Sequence, residues 1–142
     1  MPEPMTSEQR RAFMTDGTRS AVLATTRADG RPHAVPVWYG MDGDDLLVNT
    51  GAATVKGRDL ARDPRVALVV HDDRPPYAFV MVEGVAELIS EPEALRAGSA
   101  LIGRHYLDPA AADAWADYAT SPGKVLVRVR PTNVVAIDKV GG

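Results

Sequence analysis

There is no cysteine among the 142 residues. That single absence removes disulfides, thiolate zinc sites and cysteine nucleophiles together. No apolar run reaches the roughly 18 residues of a membrane helix, and residues 1–11 lack the apolar centre of a signal peptide. Basic charge is short as well: the net charge is −3 and no basic stripe is visible, so neither nucleic acid nor a membrane is an expected partner. A Walker loop, a Rossmann glycine fingerprint and a Gly-x-Ser-x-Gly elbow are all missing. His33, His71 and His105 are far apart with no metal-ligand spacing, so no metal site is expected. Lysine is scarce, only Lys56, Lys124 and Lys139 against thirteen arginines. What is present, 45% hydrophobic and 25% charged residues in a length usual for one core, reads as a single domain over 1–142, expected in the cytoplasm.

Residues 46–70 are the most informative stretch. They read as a strand, a Thr/Gly-rich turn, a short helix from about Thr54 to before Pro64, and a second strand. Helical spacing gathers Ala53, Lys56, Gly57, Leu60 and Ala61 on one face, leaving Arg58, Asp59, Arg62 and Asp63 mostly on a solvated one. A lysine turned toward a core is costly unless paired. In the first turn, beside unsatisfied N–H groups and the positive end of the helix dipole, its natural partner is an anion. A snorkelling lysine that covers apolar surface is the alternative.

Elsewhere, Thr6-Ser-Glu-Gln9 fits a capping box opening a helix to about residue 16, and Ser90-Glu-Pro-Glu93 is a second candidate. Strands are expected at about 20–27, 33–40, 45–50, 65–71, 77–89, 125–129 and 134–137, with Asp-Gly at 42–43 as a hairpin signal. Leu95, Ser99, Ile102 and Tyr106 form a helical stripe, Asp108-Pro109 starts another helical stretch with Trp115 and Tyr118, and Ser121-Pro-Gly123 breaks it. This pattern suits a mainly β, mostly antiparallel barrel with helices at its ends and seam. Pro36 interrupts a well-patterned strand and marks an edge, a bulge or a gap. Ala34, Pro36 and Trp38 share one face there, Val35, Val37 and Tyr39 the other. Such a proline either guards an edge or exposes backbone groups to a planar heterocycle. In residues 77–89, Ala78, Val80, Val82, Ala86 and Leu88 fall on one face and Tyr77, Phe79, Met81 and Val85 on the other; Glu83 and Glu87 read as solvated or salt-bridged surface unless Gly84 marks a bulge. Two apolar faces on one antiparallel strand argue for a covered sheet, and a second copy is the simplest cover.

The order Leu23-Ala-Thr-Thr, Asp29-Gly-Arg-Pro, Val35-Pro-Val-Trp-Tyr, Thr54-Val-Lys-Gly-Arg-Asp-Leu-Ala-Arg-Asp-Pro and Val82-Glu-Gly-Val-Ala-Glu-Leu resembles the pyridoxamine 5'-phosphate oxidase-like split β-barrel flavoproteins, and among them the deazaflavin-dependent reductases. The resemblance runs through residues 6–137 and implies an FMN-binding-like split barrel, homodimeric, with cofactor sites at the subunit boundary. It implies that Pro36, Val37 and Trp38 lie along the cofactor ring, that Asn49, Thr50, Thr54 and Lys56, with Arg58 by position, hold the phosphate, and that Tyr77 and Phe79 of the other subunit cover the ring. A hydrophobic strand face continued by Met81 and Val85 is the plain alternative for the last two. Asp59 stands where many relatives carry Asn and adds negative charge near the phosphate. Relatives that oxidise pyridoxamine phosphate end in a longer segment rich in arginine and tryptophan, and this sequence stops at Ile137-Asp-Lys-Val-Gly-Gly142, so that activity is not expected. The expected function is an oxidoreductase using coenzyme F-420, an 8-hydroxy-5-deazaflavin, to exchange hydride with a planar conjugated small molecule, with no catalytic side chain named. An FMN enzyme and a non-catalytic flavin or deazaflavin carrier are the alternatives. The lactyl-oligoglutamate tail of the deazaflavin would favour exposed arginines such as Arg31, Arg58 and Arg62.

Overall fold

The computed structural model describes residues 1–141. Twelve elements follow one another: β1 (Glu3–Pro4), α1 (Ser7–Thr15), β2 (Ala21–Thr26), β3 (Pro32–Val37), β4 (Gly40–Asp42), β5 (Asp45–Gly51), α2 (Val55–Arg62), β6 (Arg65–Asp72), β7 (Ala78–Ile89), α3 (Pro92–Tyr106), α4 (Pro109–Ala119) and β8 (Lys124–Asp138). The strands form one antiparallel sheet in the order β3-β2-β6-β7-β8-β5-β4, with β1 paired to β8. Its two edge strands, β3 and β4, are consecutive in the chain and separated by only Trp38 and Tyr39. The edges therefore return to one another, which is a β-barrel split along that seam. Leu23, Val48, Leu68, Val80, Val127 and Val129 fill it, and Tyr39 joins them, its hydroxyl donating to the Met14 carbonyl at 2.6 Å. A second cluster, Leu47, Leu95, Ile102 and Leu126, seats α3 on the outside.

Most elements lie where the pattern puts them, and the differences have physical causes. The strand expected over 33–40 is two strands. Pro36 has no N–H to donate, β3 is the sheet edge, and the chain breaks at Trp38 so that Tyr39 turns into the core. The Asp-Gly signal does make a hairpin, between β4 and β5, with Asp42 opposite Asp45 and Gly43 at φ 62°. The two strands expected near the C-terminus are one long β8, bent where Thr132 is left without a partner between the pairs Glu83–Asn133 and Gly84–Pro131. A side chain at Gly84 would collide with the Arg130 backbone, so the anticipated bulge is real but its extra residue belongs to β8.

Thr6 closes the expected capping box with Gln9. For α3 the cap is Glu91 and not Ser90, its carboxylate accepting from the Glu93 and Ala94 amides. The two-residue β1 carries no periodicity and was not anticipated. In α2, capped by Thr54, the buried face is Gly57, Leu60 and Asp59, whereas Ala53 and Ala61 are exposed. Asp59 is only 4% exposed because its burial is compensated: Thr25 Oγ1 donates to it at 2.8 Å and Arg62 approaches at 3.4 Å while also bonding the Thr26 carbonyl. Among the described residues no helix is long and apolar enough to cross a membrane.

Candidate functional site

The end of β5, the start of β8 and the first turn of α2 converge. Gly51 pairs with Lys124 across the sheet, the Ala52 amide donates to the Gly123 carbonyl at 2.8 Å, and α2 sits so close that a Cβ at Gly57 would strike the Gly51 carbonyl. A cleft of about 370 Å³ opens beside this junction. It is lined by Pro36, Val37 and Trp38 from β3 and the seam, by Asn49, Thr50, Thr54 and Lys56, and by Ile102, Trp115, Tyr118 and Lys124. The structure thus brings together seven residues named from sequence. Arg58 is exposed and off the cleft. Tyr77 and Phe79 lie elsewhere in the same chain, Phe79 opposite His71 and Ile137, and Tyr77 against Gly141.

Two cations face the cleft without a carboxylate partner. Lys56 makes no ion pair among the described residues, and burial, with the neighbouring Lys124 second, pushes its pKa below the usual lysine value. Lys124 makes no ion pair among the described residues; its Nζ lies 3.2 Å from the Tyr118 hydroxyl and 4.4 Å from the centre of that ring. A comparable cavity of about 360 Å³ near α1 differs in this respect: Arg10 and Arg11 are paired with Asp44, and Arg130 with Glu87. Asp59, expected to weaken an anion site, points instead to Thr25 and Arg62.

The hydroxyls shape the turn more than they face a ligand. Thr54 Oγ1 donates to the Gly51 carbonyl at 2.7 Å and accepts from the Gly57 amide at 3.2 Å, so Thr50, 3.2 Å away, is left as donor to Thr54. Both Asn49 amide hydrogens are committed, to Ser99 Oγ at 3.0 Å and the Ala119 carbonyl at 2.8 Å. The two ammonium groups are therefore what the cleft leaves free for an anion, since the Asn49 amide hydrogens and the Gly57 amide are committed elsewhere. Trp38, 38% exposed, stacks on Tyr106 with centroids 4.6 Å apart and planes 13° apart, and tilts against Trp115 at 5.8 Å. Tyr106 is fixed behind it, its hydroxyl donating to the Arg19 carbonyl and accepting from the Tyr39 amide.

Lys124, Trp115, Tyr118, Ile102 and Tyr106 were not singled out for the site from sequence. Lys124 follows a turn signal and is one of only three lysines, but its place opposite Gly51 needs the β5–β8 pairing. Of the arginines expected near a tail, Arg31 is paired with Asp29 and Arg62 with Asp59. No histidine lines the cleft, and the described residues contain no cluster suited to a metal ion.

Known proteins share this architecture. A conserved hypothetical protein, Rv2991, from Mycobacterium tuberculosis superposes with a TM-score of 0.84 at 28% identity, covering 96% of this chain and 87% of that one. A heme binding protein from Mycobacterium smegmatis gives 0.76 at 28% identity over 99% of this chain and 55% of its own. An F420 reductase gives 0.66 at 25% identity over 90% and 95%. A pyridoxine/pyridoxamine 5'-phosphate oxidase of Cupriavidus metallidurans (strain ATCC 43123 / DSM 2839 / NBRC 102507 / CH34) is 38% identical over 72 residues, half of this chain. That match spans 34% of the relative's length. Residues 6–138 match the family model described as pyridoxamine 5'-phosphate oxidase, and the chain belongs to that family.

Proposed function

We propose that this chain is an oxidoreductase that binds coenzyme F-420 in the Lys56–Lys124 cleft and exchanges hydride between it and a planar conjugated small molecule. The observation that carries the reading is the pair of lysines turned into one cleft with no carboxylate between them. The F420 reductase of the same fold supports it, at 25% identity over 90% of this chain. When bound, a reduced deazaflavin supplies a hydride from the ring carbon that replaces the flavin N5.

The residues present fit such a group. Lys56, Lys124 and the start of α2 hold the phosphate. The Asn49 carbonyl oxygen, acceptor only, suits a hydroxyl of the ribityl chain. Backbone groups of Pro36, Val37 and Trp38 border the ring, and the Trp38–Tyr106 stack gives a rigid wall against which a flat acceptor is held at reacting distance. The proton comes from water or from a nearby polar residue, and no catalytic side chain is named. The functional unit in this reading is a homodimer, with Tyr77 and Phe79 of the second copy closing the site.

The test is direct. Purified protein is titrated with coenzyme F-420 and with FMN, following fluorescence, and the reduced deazaflavin is then mixed with enones, quinones and tetrapyrroles. Tight deazaflavin binding with protein-dependent reoxidation is expected. A protein that takes FMN and ignores the deazaflavin overturns the cofactor assignment, and binding without reoxidation makes it a carrier.

A further inference from the structure

The cleft does not end at Lys124. The same lysine also borders a second groove, of about 490 Å³, that runs between the start of α3 and the turn joining α4 to β8. Its wall carries another cation, Arg96. Arg96 is bonded to Asp117 at 2.9 Å and weakly to Thr120 at 3.4 Å, but both members of that ion pair are largely exposed, so the pair is worth little and is easily exchanged for a ligand. No carboxylate lines the groove. Glu91, the cap of α3, has both carboxylate oxygens committed to the helix N-terminus. The hydroxyls at the floor donate inward, Thr120 to the Ala116 carbonyl and Ser121 to the Tyr118 carbonyl. What the groove offers a ligand is positive charge, continuous with the anion site through one shared side chain.

We propose that this groove, entered past Lys124 and bounded by Arg96, receives the carboxylate-bearing extension of a cofactor whose phosphate lies between Lys56 and Lys124. The inference rests on the deazaflavin reading and deepens it: FMN ends at its phosphate and would leave the groove empty, whereas an oligoglutamate tail continues into it. It also moves tail recognition from Arg31 and Arg62, neither of which lines the cleft or the groove, to Lys124 and Arg96.

The experiment is a set of fluorescence titrations with two forms of the deazaflavin, one carrying several glutamates and one carrying none, against wild type, Lys124→Gln and Arg96→Gln. Wild type is expected to bind the glutamylated form several-fold tighter, with a preference that fades as salt rises. Arg96→Gln, a surface change that the fold tolerates, should remove much of that preference while leaving the affinity for the tail-less form unchanged. Lys124→Gln should weaken both forms and the glutamylated one more. Equal binding of the two forms by wild type, or a preference that survives in Arg96→Gln and Lys124→Gln alike, overturns the groove assignment alone. Failure of wild type to bind either form overturns the deazaflavin reading and this inference with it.

Discussion

Lys56 decides the site at the scale of one residue. It is held where burial and a second lysine both disfavour its charge, and nothing in the described chain neutralises it. Lys56→Ala is expected to cost about 1.5–3 kcal/mol of cofactor binding, the range for hydrogen bonds to a charged group, while leaving the free protein as stable or more so. A fluorescence titration and a thermal melt of the same variant read the two effects; unchanged affinity would restore a merely snorkelling lysine. The lowered pKa adds a pH dependence whose sign is fixed. The folded value lies below the unfolded one, so the unfolded chain holds the extra proton in the window between them, and the free protein gains stability as pH climbs through it. An anion works in the opposite direction by raising the Lys56 pKa. Cofactor affinity should be flat near neutrality and fall as pH rises past the free-protein value, which lies below 10.5, with proton uptake on binding in that alkaline window. Titrations across that range check it, and Lys56→Ala should flatten the curve.

At the scale of elements, the site depends on how tightly α2 is pressed onto the end of β5. Gly57 faces the Gly51 and Ala52 carbonyls with no room for a methyl group. Gly57→Ala must push the helix away, at about 1–3 kcal/mol of overpacking, and Lys56 moves with it. The expected outcome is a lower melting temperature together with weaker cofactor binding; a variant as stable as wild type with full affinity would refute the seating of α2. Gly57 also shows how far the sequence could be read. Helical spacing found it beside Lys56 on the buried face, and Thr54 was legible as the start of α2 from its side chain alone. Asp59 was misplaced because its burial depends on Thr25, 34 positions away, which no local pattern reports. The same limit hid Lys124, whose role follows from a strand pairing across 73 residues of sequence, from Gly51. Tyr39 likewise needed the tertiary fold: alternation put it on a strand face, but the demand of the core and the donor-less Pro36 turned the chain there. Local chemistry wrote the turn, the Thr54 cap and the inward Lys56, the family resemblance supplied the other cleft residues named from sequence, and long-range pairing supplied those that neither reached.

At the scale of the molecule, one side of the sheet is left uncovered by this chain. Directly opposed residues carry an apolar row across five strands, Pro36, Val22, Val69, Met81 and Val135, from β3 through β2, β6 and β7 to β8. All are at least partly exposed, and Phe79 and Ile137 extend the band on β7 and β8. All four helices leave this row bare, although an antiparallel face in water should alternate with polar residues. The row begins at Pro36, which also lines the cleft, so whatever covers the sheet reaches that cleft. A second copy related by a two-fold axis would bury the same band on both chains, protect the β3 edge and bring Phe79 and Tyr77 of the second copy to the seam that one chain leaves open. The prediction is a solution mass of twice 15.2 kDa. Val22→Glu and Met81→Lys, both on this outer face, should retain the far-ultraviolet spectrum of the folded sheet, shift the mass measured by light scattering toward one chain, and weaken cofactor binding in step with dissociation. A wild-type protein that scatters as one chain at micromolar concentration with cofactor bound would refute the dimer and the shared site together.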